Sequence, residues 1–127
     1  MENKNNQEIF ITVIGFDKYH GTNPFKINKL LKLVKEPENN YDQEAIGIYI
    51  RYAGRSGYVA NSVNTVVKGT MSAGRVYDKI LKEDYAEVKF IANNCIIAKI
   101  LSDEELEELK KDENSDIHFL SNSEYEE

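Results

Sequence analysis

The sequence has little of the side-chain chemistry on which cross-links and metal centres depend. One of its 127 residues is cysteine and two are histidine. Cys95 therefore cannot form an internal disulfide, and its place before the apolar pair Ile96 and Ile97 predicts a small buried hydrophobe. One cysteine and the distant His20 and His118 cannot build a standard zinc site. We expect a fold without such staples, in a reducing compartment.

Long apolar runs are also missing. No stretch approaches the roughly 20 apolar residues of a membrane-spanning helix. Residues 1–8 are polar and rich in asparagine, so they do not resemble a signal peptide. We expect a cytoplasmic protein that has no membrane partner.

Sequence motifs of catalysis are absent as well. The chain has no Ser-His-Asp pattern, no glycine-rich phosphate loop and no Cys-His pair. Carboxylates at positions 36, 38, 42 and 44 are close in sequence, and a nuclease can hold a hard divalent cation with such oxygen ligands. Clusters of this kind are more often solvated loops. We therefore expect no enzymatic activity, no metal and no cofactor.

Charge is distributed unevenly along the chain. The net charge is −6, but residues 1–101 contain 14 basic and 11 acidic residues, whereas residues 102–127 contain 2 basic and 11 acidic residues. The mildly basic body can still bind an anionic ligand, because a local patch determines the field at a groove. The acidic tail is either solvated surface or a segment that binds a basic surface, including a basic groove of this same chain.

Apolar and β-branched residues are concentrated in short segments that turn-forming residues separate. These segments predict strands at 9–14, 26–36, 45–52, 57–59, 85–92 and 95–101. Segment 26–36 also has the apolar spacing of a helix, but its alternation favours a strand. Loops or turns are expected at 16–25, 37–43 and 53–56, and Asn93-Asn94 predicts a hairpin between the last two strands.

Two helices are predicted from capping residues. Asn61 or Ser62 can cap a helix that reaches about Thr70. Ser102 and Glu105 form a capping-box pattern that opens a short acidic helix through about residue 111. Short strands, few helices and no βαβ rhythm together predict a mostly β fold, either a small barrel or a rolled sheet.

One stretch of the sequence resembles a known family. Residues 35–50 read Lys-Glu-Pro-Glu-Asn-Asn-Tyr-Asp-Gln-Glu-Ala-Ile-Gly-Ile-Tyr-Ile, and Gly-Tyr-Val follows at 57–59. Together with Thr-Val-Ile-Gly at 12–15 and Tyr19, this pattern resembles the HIRAN domain family over roughly residues 8–101. Some bacterial members look closer still, because they share the Ser-Ala-Gly-Arg segment found here at 72–75. The resemblance implies a small OB-like β-barrel, found alone or fused to chromatin-remodelling and DNA-repair ATPases.

The resemblance also implies a domain organisation. We expect a flexible N-terminus at 1–7, a HIRAN-like β-barrel domain with one or two short helices at 8–101, and an acidic helix and tail at 102–127. Residues 112–127 are expected to be mobile.

The Asn-x-Tyr-Asp turn carries the site that the resemblance implies. A family member that binds the 3′ end of single-stranded DNA uses the tyrosine against a terminal base and the aspartate to accept a hydrogen bond from the 3′ hydroxyl, which here implies Tyr41 and Asp42. Stacking on a base contributes about 1–3 kcal/mol and tolerates any sequence. A carboxylate repels phosphate, so Asp42 suits a free hydroxyl. Alternatively, Asp42 only caps the turn and Tyr41 packs beneath it.

The sequence departs from that DNA-end-binding member at two basic positions. Its Arg-Tyr-Tyr is replaced by Asp-Lys-Tyr at 17–19, and a pair of lysines is replaced by Ala60 and Asn61. Substitute phosphate contacts can come from Lys18, Arg55, Lys68 or Arg75, of which Arg75 ranks first. Tyr58 either forms a second wall of the groove or is a half-buried tyrosine of the barrel. The predicted DNA-binding residues are Lys18, Tyr19, Tyr41, Asp42, Tyr58, Asn61 and Arg75.

Two functions remain open from the sequence. The first is a DNA-binding module for single-stranded DNA or 3′ DNA ends. The second is an adaptor that docks on a larger DNA-processing protein through the barrel or the acidic tail.

Overall fold

A computed structural model describes residues 8–92 and 95–122, so the predicted flexible N-terminus and the Asn93-Asn94 turn lie outside the described residues. Within these ranges no helix is long and apolar enough to cross a bilayer. The described chain forms six strands and three α-helices: β1 (Phe10–Ile14), β2 (Leu30–Lys35), β3 (Ile46–Ile50), β4 (Gly54–Val59), α1 (Ala73–Val76), β5 (Glu83–Ile91), β6 (Ile96–Ile100), α2 (Asp103–Lys110) and α3 (Ile117–Leu120). Single 3-10 turns occur at Phe16–Lys18 and Tyr77–Lys79.

The six strands close into one antiparallel barrel in the order β1-β4-β3-β2-β5-β6. Pairing of β1 with β6, in which Val13 lies opposite Ile96, completes the closure. Closure leaves no free sheet edge on which another chain can add a strand. The mostly β, small-barrel prediction is confirmed.

The barrel interior is filled by alternating aliphatic side chains of the strands. In β5, for example, Ala86 and Val88 are fully buried while Glu87 between them is partly exposed. Burying one aliphatic side chain of this size contributes roughly 1.5–3 kcal/mol. The largest fully buried aliphatic side chains of this core are Ile9, Ile11, Leu31, Leu33, Ile46, Ile48, Ile50 and Ile96.

The C-terminal segment adds a second, smaller core outside the barrel. Leu30 of β2 and Leu101 form a cluster with Ile117 and Leu120 of α3, and Leu106 of α2 packs against it. The prediction that residues 112–127 are mobile is therefore wrong for residues 112–122. Acidic composition indicated a solvated tail, but two buried aliphatic residues dock this part of the segment.

The capping box of α2 is confirmed. The Ser102 hydroxyl accepts a hydrogen bond from the Glu105 backbone N–H (3.1 Å), and the Glu105 carboxylate accepts one from the Ser102 N–H (2.8 Å). Lys99 also donates to Glu105 at 2.6 Å. These contacts fix where the chain leaves β6 and begins the helix.

The helix predicted between Asn61 or Ser62 and Thr70 is wrong, because tertiary contacts take its backbone groups. The Val67 N–H donates to the hydroxyl of Thr12, a buried β1 residue, at 3.1 Å. The hydroxyl oxygens of Thr12 and Thr70 lie 2.7 Å apart, which is within hydrogen-bonding distance. In a regular helix the Val67 N–H would donate to the Val63 carbonyl instead, so Thr12 would lose this bond, and one hydrogen bond contributes about 0.5–1.5 kcal/mol to stability.

Two smaller differences concern single segments. The turn predicted at 53–56 is too long, because β4 already begins at Gly54, which pairs with Ile50. Cys95 is partly exposed rather than buried.

Candidate nucleic-acid interface

A groove of about 580 Å³ opens where the ends of β1 and β4 meet the loop that precedes β3 and the segments that follow β1 and β4. We call it the Tyr41 groove. Its volume lies in the range of about 300–1,000 Å³ that is usual for small-molecule sites. It is lined by Ile14, Gly15, Lys18, Tyr19, Asn39, Tyr41, Asp42, Ala45, Tyr58, Val59, Asn61, Ser62 and Thr65.

Six of the seven predicted DNA-binding residues line this groove, although they come from three separate parts of the sequence. They are Lys18, Tyr19, Tyr41, Asp42, Tyr58 and Asn61. Arg75 instead lines an adjoining groove. The structure thus brings the predicted residues together, and their contact with DNA stays a prediction.

The Asp42 carboxylate is held in place from two directions. Its Oδ1 accepts the Glu44 backbone N–H at 2.8 Å, and its Oδ2 accepts the Asn61 side-chain amide at 2.8 Å. The part of the alternative in which Asp42 caps the turn is therefore correct. A carboxylate offers about four lone-pair positions, so the two bonds leave acceptor capacity for a further hydroxyl group.

Tyr41 does not pack beneath the turn. Its side chain is 98% exposed, so that part of the alternative is wrong. The turn itself is ordered, because the Asn39 Oδ1 accepts both the Tyr41 N–H (2.8 Å) and the Asp42 N–H (3.1 Å). An ordered backbone thus presents a large aromatic ring to solvent, which is the arrangement that base stacking needs.

Tyr58 forms the opposite wall and keeps its phenol neutral. Burial, followed by a hydrogen bond with Tyr19, raises the pKa of Tyr58 to about 12. The Arg55 guanidinium lies 5.0 Å from the centre of the Tyr58 ring. This wall therefore carries no negative charge at neutral pH, and it presents hydroxyl groups and a ring face.

A glutamate that sequence reasoning did not assign to the site braces both walls. The Glu36 carboxylate pairs with Arg55 at 2.6 Å through Oε2 and accepts the Asn39 amide at 3.2 Å through Oε1. Arg55 supports the Tyr58 wall and Asn39 orders the Tyr41 turn. Although burial alone lowers it, the pKa of Arg55 is raised because of this hydrogen bond. Arg55 is committed to Glu36, which makes it a poor substitute phosphate contact.

A glycine of β3 makes room for this brace. A Cβ atom at Gly47 would lie 2.4 Å from the Glu36 Oε2 and 2.8 Å from the Arg55 Nη1. The Ala-Ile-Gly-Ile stretch therefore needs its glycine for the ion pair rather than for a turn. A glycine inside a strand pattern was the available signal, because such glycines often mark a close approach of another group.

Three of the proposed substitute cations differ from Arg55. They are Lys18, Lys68 and Arg75. All three are exposed, and none forms an ion pair within residues 8–92 and 95–122. In the same ranges no group of three or more His, Cys, Asp or Glu side chains could hold a metal ion. Among the described residues, the Tyr41 groove thus has one cation without an ion pair, Lys18, and one oriented carboxylate, while Arg75 lines the adjoining groove.

The family assignment rests on comparison with known proteins. The HIRAN domain model matches residues 6–97, which is well over half of the chain, so the chain belongs to the HIRAN domain family. This is a family of DNA-binding domains, and membership supports a DNA-binding module. No curated protein matches the chain.

A solved structure shares the fold. The crystal structure of the HIRAN domain of human HLTF matches with a TM-score of 0.50 and 20% sequence identity, over 82% of this chain and 84% of that chain. At this identity the likeness shows the fold. The family match ends before α2 and α3, so Leu101, Ile117 and Leu120 of the second core lie beyond the matched residues, whereas Leu30 lies within them.

Proposed function

We propose that this protein binds ends of single-stranded DNA without catalysing a reaction, and that the Tyr41 groove holds the terminal nucleotide. In this proposal the terminal base stacks on Tyr41 and the free 3′ hydroxyl donates to Asp42. The observation that carries it is the pairing of a 98% exposed tyrosine with an adjacent carboxylate whose position Asn61 fixes.

The charge of Asp42 supports an end rather than an internal nucleotide. A phosphate diester beside the carboxylate would be repelled, whereas a hydroxyl can donate to it. Hydrogen bonds to charged groups contribute about 1.5–3 kcal/mol. Discrimination between a 3′ hydroxyl and a 3′ phosphate is therefore expected to be roughly tenfold or more.

The test is fluorescence anisotropy at low salt with single-stranded oligonucleotides labelled at the 5′ end, which differ only in a 3′ hydroxyl or a 3′ phosphate. Wild type should prefer the hydroxyl. Asp42→Asn should reduce this preference, and Tyr41→Ala should weaken binding to both by about 1–3 kcal/mol. Tyr52→Ala is the matched control, because Tyr52 is 82% exposed but does not line the groove.

Each alternative result has a distinct meaning. If wild type binds both oligonucleotides equally, end recognition is wrong and a general single-strand binder remains. If wild type binds neither, the proposal as a whole fails. If Tyr52→Ala weakens binding as much as Tyr41→Ala, the ligand does not sit in the Tyr41 groove.

A further inference from the structure

A second groove continues from the first. It has a volume of about 340 Å³ and shares Asn61 and Ser62 with the Tyr41 groove. We call it the Arg75 groove, lined by Asn61, Ser62, Val63, Val66, Thr70, Ser72 and Arg75. The two grooves thus adjoin at Asn61 and Ser62.

The Arg75 groove differs from the Tyr41 groove in charge. Arg75 is its only charged lining residue, and its guanidinium forms no ion pair within the described chain. The remaining polar groups are neutral hydroxyls and one amide. In the Tyr41 groove, by contrast, the Lys18 cation is offset by the Asp42 carboxylate. Arg75 therefore favours an anion and Asp42 disfavours one, and a guanidinium matches a phosphate with two parallel hydrogen bonds. The Glu44 carboxylate, which lies against Gly74, reduces the positive field on that side of Arg75.

Asn61 links the two backbone segments that carry these charges. Its Nδ2 donates to the Asp42 Oδ2 at 2.8 Å, and its Oδ1 accepts the Gly74 N–H at 2.7 Å. Gly74 directly precedes Arg75 in α1, which is anchored by the fully buried side chains of Ala73 and Val76. The carboxylate and the guanidinium are thus carried by two segments that one amide joins.

We propose that the Arg75 groove binds the backbone phosphate on the 5′ side of the terminal nucleotide. This inference rests on the proposed function and adds a direction to it: the hydroxyl end lies at Asp42, and the strand leaves across Asn61 towards Arg75. The footprint then includes at least one phosphate linkage. Recognition needs both features, an uncharged end on one side of Asn61 and an anionic linkage on the other.

The test is competition by unlabelled oligothymidylates against a labelled oligonucleotide. The series runs from thymidine, which has no phosphate, through the dinucleotide, which has one, to longer oligomers. Arg75→Gln should weaken the dinucleotide and longer oligomers by about 10- to 100-fold and leave thymidine unchanged. It should also reduce the slope of log affinity against log salt by about 0.7, the value for one lost phosphate contact on a single strand.

Lys26→Gln is the matched control, because Lys26 is also an exposed cation with no ion pair among residues 8–92 and 95–122, but it lines neither groove. If Arg75→Gln and Lys26→Gln behave alike at every length while wild type still prefers a 3′ hydroxyl, this inference is wrong and the proposed function stands. If wild type binds no oligothymidylate at all, both fail. Equal weakening of thymidine and the dinucleotide by Arg75→Gln would also contradict a phosphate contact.

Discussion

The groove region and the C-terminal region contain the same kinds of side chain but use them differently. In the C-terminal region the Arg51 guanidinium lies 3.3 Å from the Phe119 ring centre and pairs with Asp116 at 3.1 Å. Asp116 also pairs with Lys29 at 3.3 Å. In the groove region Tyr41 is almost fully exposed, and Lys18 and Arg75 have no ionic partner in the described chain.

This difference separates stability from binding. Where cations, rings and carboxylates contact one another, they hold α3 against the barrel and leave little capacity for a ligand. Where the same groups remain apart, they add little to folding and are available to another molecule. The acidic segment also does not cover the groove, because none of residues 102–122 line it. Deletion of the acidic segment would also remove the second core. Such a deletion therefore cannot separate inhibition of DNA binding by the segment from loss of stability.

The largest expected effect tests the C-terminal side of this comparison. Leu120→Ala should lower the free energy of unfolding by about 2–5 kcal/mol, because Leu120 is fully buried in the second core. DNA affinity of the folded protein should not change. Urea unfolding followed by circular dichroism measures the free energy of unfolding, and fluorescence anisotropy measures the DNA affinity. Leu81→Ala, at a 69% exposed leucine, is the control and should have little effect on stability. Equal unfolding midpoints for the two variants would show that the second core contributes nothing.

Glu36→Gln sharpens the comparison at the one place where groove residues are internally paired. It should lower the free energy of unfolding by about 1–3 kcal/mol, because the largely buried Arg55 loses its charged partner. It should also weaken DNA binding several-fold, since the brace orders both walls. Glu38→Gln removes an exposed carboxylate from the same loop and is the control. Unchanged DNA affinity in a destabilised Glu36→Gln protein would make Glu36 a purely structural residue.

The smallest expected effect is a pH-dependent one in the C-terminal region. Burial favours the neutral acid, but hydrogen bonds from Lys99 and Ser102 outweigh it and lower the pKa of Glu105. The ionised Glu105 therefore stabilises the folded state fully at a pH above the ordinary glutamate pKa. This stabilisation is lost as the pH falls through the lowered pKa of Glu105 in the folded protein. Glu105→Gln should be less stable by about 0.2–1 kcal/mol at neutral pH, as for exposed ion pairs. The difference should disappear in acid. A constant difference in urea unfolding across this range would contradict the assignment.

Local patterns predicted the strands because each strand has one face towards the barrel interior. The alternation in β5 and the β-branched run in β1 follow directly from that burial. The capping box at Ser102 was equally readable, since all its partners lie within four residues. By contrast, the segment after Asn61 has a helix-like sequence, and only contact with the distant Thr12 decides against a helix.

The sequence predicted which residues belong to the candidate site, but it did not predict how their side chains are arranged. Family resemblance identified Tyr41, Asp42 and Tyr58, and the structure places them around one groove. Neither the exposure of Tyr41 nor the brace formed by Glu36 and Arg55 follows from the sequence, because the brace joins residues that are 19 positions apart. The docking of residues 112–122 was also missed, because Ile117 and Leu120 lie in a short Ile-His-Phe-Leu stretch within an otherwise acidic segment.

The hydrogen bond from Asn61 to Asp42 makes the groove sensitive to chemical ageing. Deamidation of Asn61 would replace its donor with a second carboxylate, at a position now 2.8 Å from the Asp42 Oδ2. Two carboxylates this close repel each other, so the hydrogen bond that now positions Asp42 would be lost. A single hydrolysed amide would thus turn the contact that orients the carboxylate of the groove into one that pushes it away.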